Sequence, residues 1–265
     1  NGIYENCPND EAHELFKLPE FVNKMMENKW LGSKTGQGFY KKEGKDILTL
    51  DLDTLEYRAN KKASFATLEL TKTIEKPIDR FKVLVTGKDK AGDFYRKNFA
   101  SMFQYCSNRI PEITDAFYKI DDAMKAGFGW ENGPFEIWDA IGIEKGIELM
   151  KAEGYQPASW VTDMLASGNT SFYSIKDGAT HFYSITNKKV EKIPGQDAFI
   201  ILNNIRESKK IWNNSDSIIT DLGDGIINLE FTSKMNSIGA GVLQGINKAI
   251  DIAEKDYNGL VIGNQ

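Results

Sequence analysis

The apolar positions of this chain fall alternately into helical and strand periods. After Pro19, the residues Phe21, Val22, Met25 and Met26 recur at helical spacing up to Trp30, which predicts one amphipathic helix over 19–30. Glycines then crowd into Gly32-Ser-Lys-Thr-Gly-Gln-Gly-Phe-Tyr40 and predict a shaped turn, because glycine reaches backbone conformations closed to other residues. Residues 39–57 read as two short strands about Gly44, with Ile47, Leu48, Leu50 and Leu52 on the second arm. A polar, Lys-rich helix or linker follows over about 59–80.

The middle of the chain reads as helical. Phe94, Phe99, Met102, Phe103 and Cys106 mark a buried helix from Asp89 to Asn108, and Ile113, Phe117, Ile120 and Met124 form the stripe of a second. Pro111 is expected to open that second helix and Gly127 to end it with a left-handed cap. Helical segments at 135–153 and 157–167 are expected to stop at Gly154 and Gly168. The pattern also repeats. Phe21-Val22-x-x-Met25-Met26 followed by Gly38-Phe39-Tyr40 and Gly44 is echoed by Trp160-Val161-x-x-Met164-Leu165 followed by Ser171-Phe172-Tyr173 and Gly178. The N-terminal residues are then the tail of one repeat, and 81–195 a nearly whole second one.

From Ile218 to Phe231 two strands flank an Asp-Gly turn. Val242, Ile246, Ala249, Ile250 and Ala253 then form one helix face, and Gly259–Gly263 returns as a strand. Strand, helix and strand in that order predict a βαβ unit with parallel strands. Both ends of the chain read as internal: it opens on Asn1-Gly-Ile-Tyr and closes on an apolar run to Gln265.

Composition narrows the function. With 41% hydrophobic and 27% charged residues the chain is expected to fold, and its net charge of −5 makes nucleic acid and anionic membranes poor partners. No apolar run approaches the ~20 residues of a membrane span. Cys7 and Cys106 give neither a disulfide framework nor metal-ligand spacing, so no metal is expected and a reducing, cytoplasmic location fits. His13 and His181 stand alone in sequence and are read as structural or solvated.

Two motifs carry a family resemblance. Trp30-Leu-Gly-Ser-Lys-Thr-Gly-Gln-Gly-Phe-Tyr40 resembles the close of the helical C-terminal domain of 3-hydroxyacyl-CoA dehydrogenases, and Ile120-Asp-Asp-Ala-Met-Lys-Ala-Gly-Phe-Gly-Trp-Glu-Asn-Gly-Pro-Phe-Glu-Ile-Trp-Asp139 is similar to that domain's other signature. Asp221-Leu-Gly-Asp-Gly225, Ser233-Lys-Met-Asn-Ser-Ile-Gly239 and Gly259-Leu-Val-Ile-Gly263 resemble the entry to the crotonase, or enoyl-CoA hydratase, fold. The order matches bacterial fusion enzymes with dehydrogenase first and hydratase second. The resemblance implies a mainly α chain of dehydrogenase C-terminal-domain-like repeats followed by a partial α/β crotonase-like segment. Its borders are the end of a first helical domain over 1–58, a linker over 59–80, a second copy over 81–195, a linker over 196–212 and a truncated crotonase start over 213–265.

The same resemblance implies an enzyme of fatty-acid β-oxidation that oxidises 3-hydroxyacyl-CoA to 3-ketoacyl-CoA with NAD, this chain supplying scaffold and part of the substrate cover. NAD and the catalytic His and Glu belong to a Rossmann domain of the parent, and no G-x-G-x-x-G occurs in these 265 residues. No catalytic or cofactor-binding residue is therefore expected here. The partners implied are an acyl-CoA thioester, the Rossmann and crotonase portions of the parent, and another copy through self-association. Candidate substrate contacts are Lys34 and Thr35 in the glycine turn, Trp130, Pro134 and Phe135 as an apolar lining, and Asn236 and Ile238 where crotonases wrap the CoA nucleotide. Each has a plainer rival: a solvated turn lysine, helix packing, or an Asn capping the next helix. A non-catalytic helical interaction module, and hydratase or isomerase activity as the parent's main role, are the alternatives.

Overall fold

The computed structural model describes residues 2–264. In chain order these form α1 (Gly2–Asn6), α2 (Glu20–Glu27), β1 (Tyr40–Glu43), β2 (Asp46–Leu50), β3 (Tyr57–Ala59), α3 (Ala66–Thr71), α4 (Pro77–Thr86) and α5 (Lys90–Asn108). There follow α6 (Tyr118–Phe128), α7 (Pro134–Ile141), α8 (Ile143–Ala152), α9 (Ser159–Ala166), β4 (Tyr173–Lys176), β5 (Ala179–Ser184) and β6 (Lys189–Lys192). The chain continues through α10 (Leu202–Ile205), β7 (Lys210–Asn213), β8 (Ser217–Gly223), β9 (Ile226–Phe231), α11 (Ala240–Asp256) and β10 (Gly259–Ile262). Three sheets among these helices make the fold mixed α/β rather than the expected mainly α. The strands about Gly44 and Gly178 are each followed by a third strand, β3 and β6, paired antiparallel with its predecessor across a second short turn from Leu50 to Tyr57 and from Ser184 to Lys189.

Two compact units divide the chain, Asn1–Arg109 with Glu144–Pro157, and Ile110–Ile143 with Ala158–Gln265. In the first, α5 is the longest element. Asp89 caps it by accepting the Gly92 N–H at 3.0 Å, and the same carboxylate takes the Thr67 N–H (2.9 Å) and hydroxyl (2.7 Å), pinning α3 to the start of α5. The connection from α4 to α5 passes so close to α3 that a Cβ on Gly87 would lie 2.1 Å from Thr67 Oγ1. Phe99 and Phe103 stack along the buried side of α5, whereas Phe94 is exposed and leaves the expected stripe. Residues 59–80, expected as a polar helix or linker, carry α3 and the start of α4. The N-terminal segment folds back on α5: Tyr105 donates to Asp10 at 2.9 Å, and Glu11 accepts from Gln104, Asn108 and Arg109. These contacts tie the N-terminal segment to α5 within the first unit.

The second unit holds an aromatic core and an α/β layer. The helix expected from Pro111 begins only at Tyr118. Ile113 is 68% exposed while Phe117 is fully buried, so the supposed stripe does not lie on one helix face. Its left-handed cap is Gly129, at φ 67°, and not Gly127, because the Gly129 N–H reaches back to the Lys125 carbonyl at 3.1 Å and closes one more turn. The segment read as one helix over 135–153 is broken at Gly142, at φ 102°. Gly168 closes α9 as expected, at φ 87°.

The last sheet has the order β10-β9-β8-β7, with β8 and β9 antiparallel through Asp224 and Gly225, both left-handed, and β9 and β10 parallel across α11. The βαβ expectation therefore holds. Ile219, Ile227, Leu229 and Ala249 are wholly buried between sheet and helix. Strand alternation turns Asn228 and Glu230 to the opposite face, where Glu230 is 2% exposed and takes a two-pronged ion pair from Arg206 just after α10, at 2.9 and 2.6 Å. Asn236 does not cap α11. Its N-cap is Gly239, and Asn236 sits three residues earlier in a 3-10 turn at φ 52°.

Removing one member of a buried pair leaves an uncompensated charge. Arg206→Ala is expected to cost about 3 kcal/mol of the unfolding free energy of this layer. The loss, read from Trp212 fluorescence in urea, should be substantially recovered by adding Glu230→Gln.

Candidate functional site

The expected contact residues fall in three places. Lys34 and Thr35 lie in the 3-10 turn Ser33–Thr35 between α2 and β1. Gly32 (φ 110°) and Gly36 (φ 82°) bound the turn, and Thr35 Oγ1 holds it by accepting the Leu31 N–H and facing the Gly32 and Gln37 carbonyls. A Cβ on Gly38 would lie 2.8 Å from Gly32, so only glycine fits that crossing. Lys34 is exposed on this turn. Beneath it lies a cleft of about 240 Å³ whose walls are apolar side chains of α2, Trp30, Leu31 and Phe39.

The Gly-Pro-Phe-Glu segment is the start of α7, and a buried acid on α6 organises it. Asp121, with no exposed surface, accepts the Phe135 N–H (2.9 Å), the Glu136 N–H (3.1 Å) and the Tyr173 hydroxyl (2.7 Å). It serves as an N-terminal cap supplied from another helix. Gly133 makes room for it, since a Cβ there would lie 2.3 Å from the Asp121 Cβ. Glu136 accepts the Gly133 N–H at 2.8 Å and pairs with Lys125 at 2.7 Å. Three residues on, Asp139 accepts the Phe172 and Tyr173 N–H groups at 2.7 and 2.9 Å, fixing the start of β4.

Burial pushes Asp121 up to about 7 against the pull of these donors, and pushes Asp139 up to about 6. Tyr173 is driven far above the ordinary phenol range by burial and by the neighbouring Asp121. A carboxyl so enclosed, with every close partner already a donor to it, is a clasp and not a proton carrier. Pro134 and Phe135 lie in the interior, where Phe135 packs against Phe117, Trp138, Trp160 and Phe172. Of the three residues read as an apolar lining, Trp130 is exposed. Asn236 and Ile238 are exposed in the connection from β9 to α11.

A fourth place had no sequence signal. A cleft of about 690 Å³ lies between Leu15 and Phe16 on one side and Asn98, Ser101, Met102 and Tyr105 of α5 on the other, closed by Tyr155. Its walls on Leu15 and Phe16 and on α5 are more than eighty residues apart in the chain, and the Asp10 and Glu11 hydrogen bonds to α5 tie them together. Among the described residues no cluster of His, Cys, Asp or Glu is placed to hold a metal, and no helix is long and apolar enough to cross a membrane. His13 stacks on Tyr4 at 4.1 Å between Ala12 and Glu14 of the larger cleft's wall, and His181 lies in β5.

NAD does not fit the parallel βαβ crossover from β9 through α11 to β10. The turn before α11 lacks the dinucleotide glycine pattern, and a Cβ at Gly241 would lie 2.1 Å from Asp216 Oδ2, which puts a carboxylate where a pyrophosphate would need to sit.

The chain is 40% identical over all 265 residues to a probable 3-hydroxyacyl-CoA dehydrogenase of Bacillus subtilis (strain 168). That similarity to a probable 3-hydroxyacyl-CoA dehydrogenase runs along the whole chain. The chain is also 23% identical, over 96% of its length, to putative fatty acid oxidation complex trifunctional enzymes of Rickettsia felis and Rickettsia prowazekii. The chain spans about a third of the length of these curated relatives. No family model and no solved structure matches it.

The clasp makes two outcomes measurable. Asp121→Ala strands two backbone donors and a phenol in the interior, at an expected cost of about 3 kcal/mol or more, read by urea unfolding of the Trp138 and Trp160 core. Because Asp121 holds its proton more tightly folded, at about 7, than at its ordinary 3.8, stability is fully present below about pH 4 and falls as the pH rises through 7. Asp139, at about 6, acts in the same sense. Unfolding free energy measured between pH 4 and 8 should decline across that window, and the slope should shrink in Asp121→Asn.

Proposed function

We propose that this chain is the helical scaffold and part of the substrate cover of an enzyme that oxidises 3-hydroxyacyl-CoA to 3-ketoacyl-CoA with NAD in fatty-acid β-oxidation. The observation that carries this reading is the 40% identity to the Bacillus subtilis relative across every residue of the chain. The architecture agrees with it: both signature segments form tightly specified structures, the glycine turn built around Thr35 and the α7 start built around Asp121. NAD, hydride transfer and the acid–base residues are then supplied by other parts of the parent, consistent with the lack of a dinucleotide loop here.

In this reading Lys34 and Thr35 offer a charged, rigid turn to the phosphates of the CoA thioester, and Trp130 offers an exposed aromatic face to its acyl part. Pro134 and Phe135 act from behind by fixing the loop that carries Trp130. Residues 81–195 form the second repeat, 1–58 the end of the first, and 213–265 the opening βαβ of a crotonase-type segment. There Asn236 and Ile238 flank the CoA nucleotide. The enzyme works in the cytoplasm.

Two measurements test the reading. Calorimetric titration of this chain with NADH should give no saturable binding, and a short 3-hydroxyacyl-CoA should not be turned over by it. A chimera in which this chain replaces the matched third of the Bacillus subtilis relative should oxidise the same thioester at a rate within about tenfold of the unmodified relative. Saturable NADH binding by the chain, or a soluble, cooperatively folded chimera without dehydrogenase activity, would overturn it.

A further inference from the structure

The two repeats share a backbone plan residue by residue. Tyr40, Thr49 and Arg58 are paired across the first three-stranded meander as Tyr173, Phe182 and Glu191 are across the second, each position 133 residues after its counterpart. Leu50 donates its N–H to the Phe39 carbonyl at 2.8 Å, and Tyr183 donates to Phe172 at 3.0 Å. Leu55 and Lys188 both take a left-handed backbone at the following turn. The helix before each meander also corresponds, with Met25 buried in α2 as Met164 is in α9.

Their surroundings differ. In the second repeat Phe172 is 1% exposed, the Tyr173 hydroxyl is held by Asp121, and Asp139 accepts the N–H groups of both residues. Both carboxylates come from the pair α6–α7, whose Phe135 and Trp138 also pack on Phe172 together with Phe117, just before α6, and Trp160 of α9. In the first repeat the same two positions, Phe39 and Tyr40, are 50% and 61% exposed. Among the described residues no carboxylate accepts their N–H groups. Thr49, at the position where Phe182 packs on Phe117 and Tyr118, keeps a buried hydroxyl without a hydrogen-bond partner. The 240 Å³ cleft opens beside Phe39. Residues 2–58 hold a counterpart of α9 but none of α6–α7.

We propose that the Phe39–Tyr40 face is a docking surface for a helical pair of the α6–α7 kind: one helix bearing an inward aspartate, and a second opening on Gly-Pro-Phe. The second repeat is the observation that identifies the occupant, because it displays the cover that an identical strand register requires. The aspartate meets the Tyr40 hydroxyl and the apolar start of the second helix fills the cleft beside Phe39. A second copy of this chain is the poorer occupant, since its own α6–α7 pair is already closed over Phe172 and Tyr173. The inference rests on the repeat and not on the dehydrogenase reading.

The probe is a labelled synthetic peptide of residues 110–143, titrated against the full chain by fluorescence anisotropy. Saturable binding is expected, weakened about tenfold or more by Phe39→Ser/Tyr40→Ser in the chain and by Asp121→Ala in the peptide. The substituted residues are solvent-facing, and an unchanged circular dichroism spectrum and urea midpoint establish that the variant chain is folded. Three results overturn the proposal: no saturation up to about 1 mM peptide, binding that survives the Phe39/Tyr40 substitutions, or a dimer in sedimentation that those substitutions dissolve. The last would make a second copy the occupant.

Discussion

A carboxylate with no exposed surface, Asp121, is the constraint on which the second unit depends. It ends the first turn of α7 in place of a local cap and holds the phenol of β4, so one side chain fixes a helix, a loop and a strand. Burial raises the energy of its charged form, and three donors lower it again. The result requires glycine at 133, where any side chain would collide with Asp121, and requires the apolar wall of Phe117, Phe135 and Phe172 around it. Asp139 repeats the device one helix later by holding the backbone of Phe172 and Tyr173.

The remaining polar interior follows the same rule in other forms. Asp89 joins α3 to α5 through Thr67 while capping α5, and hydrogen bonding pulls its carboxyl down to about 2. Glu230 is covered by the forked guanidinium of Arg206 on the outer face of the last sheet. Each of these acids, Asp89 half-buried and Glu230 buried, thus joins elements that the apolar pattern alone would leave free to slide.

The two repeats show how local pattern and surroundings separate. Phe39 and Phe172 occupy one register position in equivalent meanders, and one is half exposed while the other is sealed. Nothing in Gly-Phe-Tyr or Ser-Phe-Tyr distinguishes them. The difference lies in helices remote in the chain, and the same separation applies to the cleft on α5, whose walls are brought together by Asp10 and Glu11.

Much of the architecture was legible in the chain itself. The 3.6-residue period of α2 and α5, the glycine turn at 32–38, the Asp224-Gly225 hairpin and the βαβ close all follow from local sterics and spacing, and the repeat was visible from Phe-Val-x-x-Met-Met and its echo. The signature segments sufficed to point to the family that the full-length similarity supports. Tertiary structure decided the late start of α6, the break at Gly142 and the roles within the Gly-Pro-Phe-Glu segment. Phe135 became core and Trp130 stayed exposed although both are apolar residues of one loop. The physical reason is that spacing encodes which residues share a face, whereas burial depends on what arrives to cover it. At Asp121, that cover comes from a phenol 52 residues away in the chain.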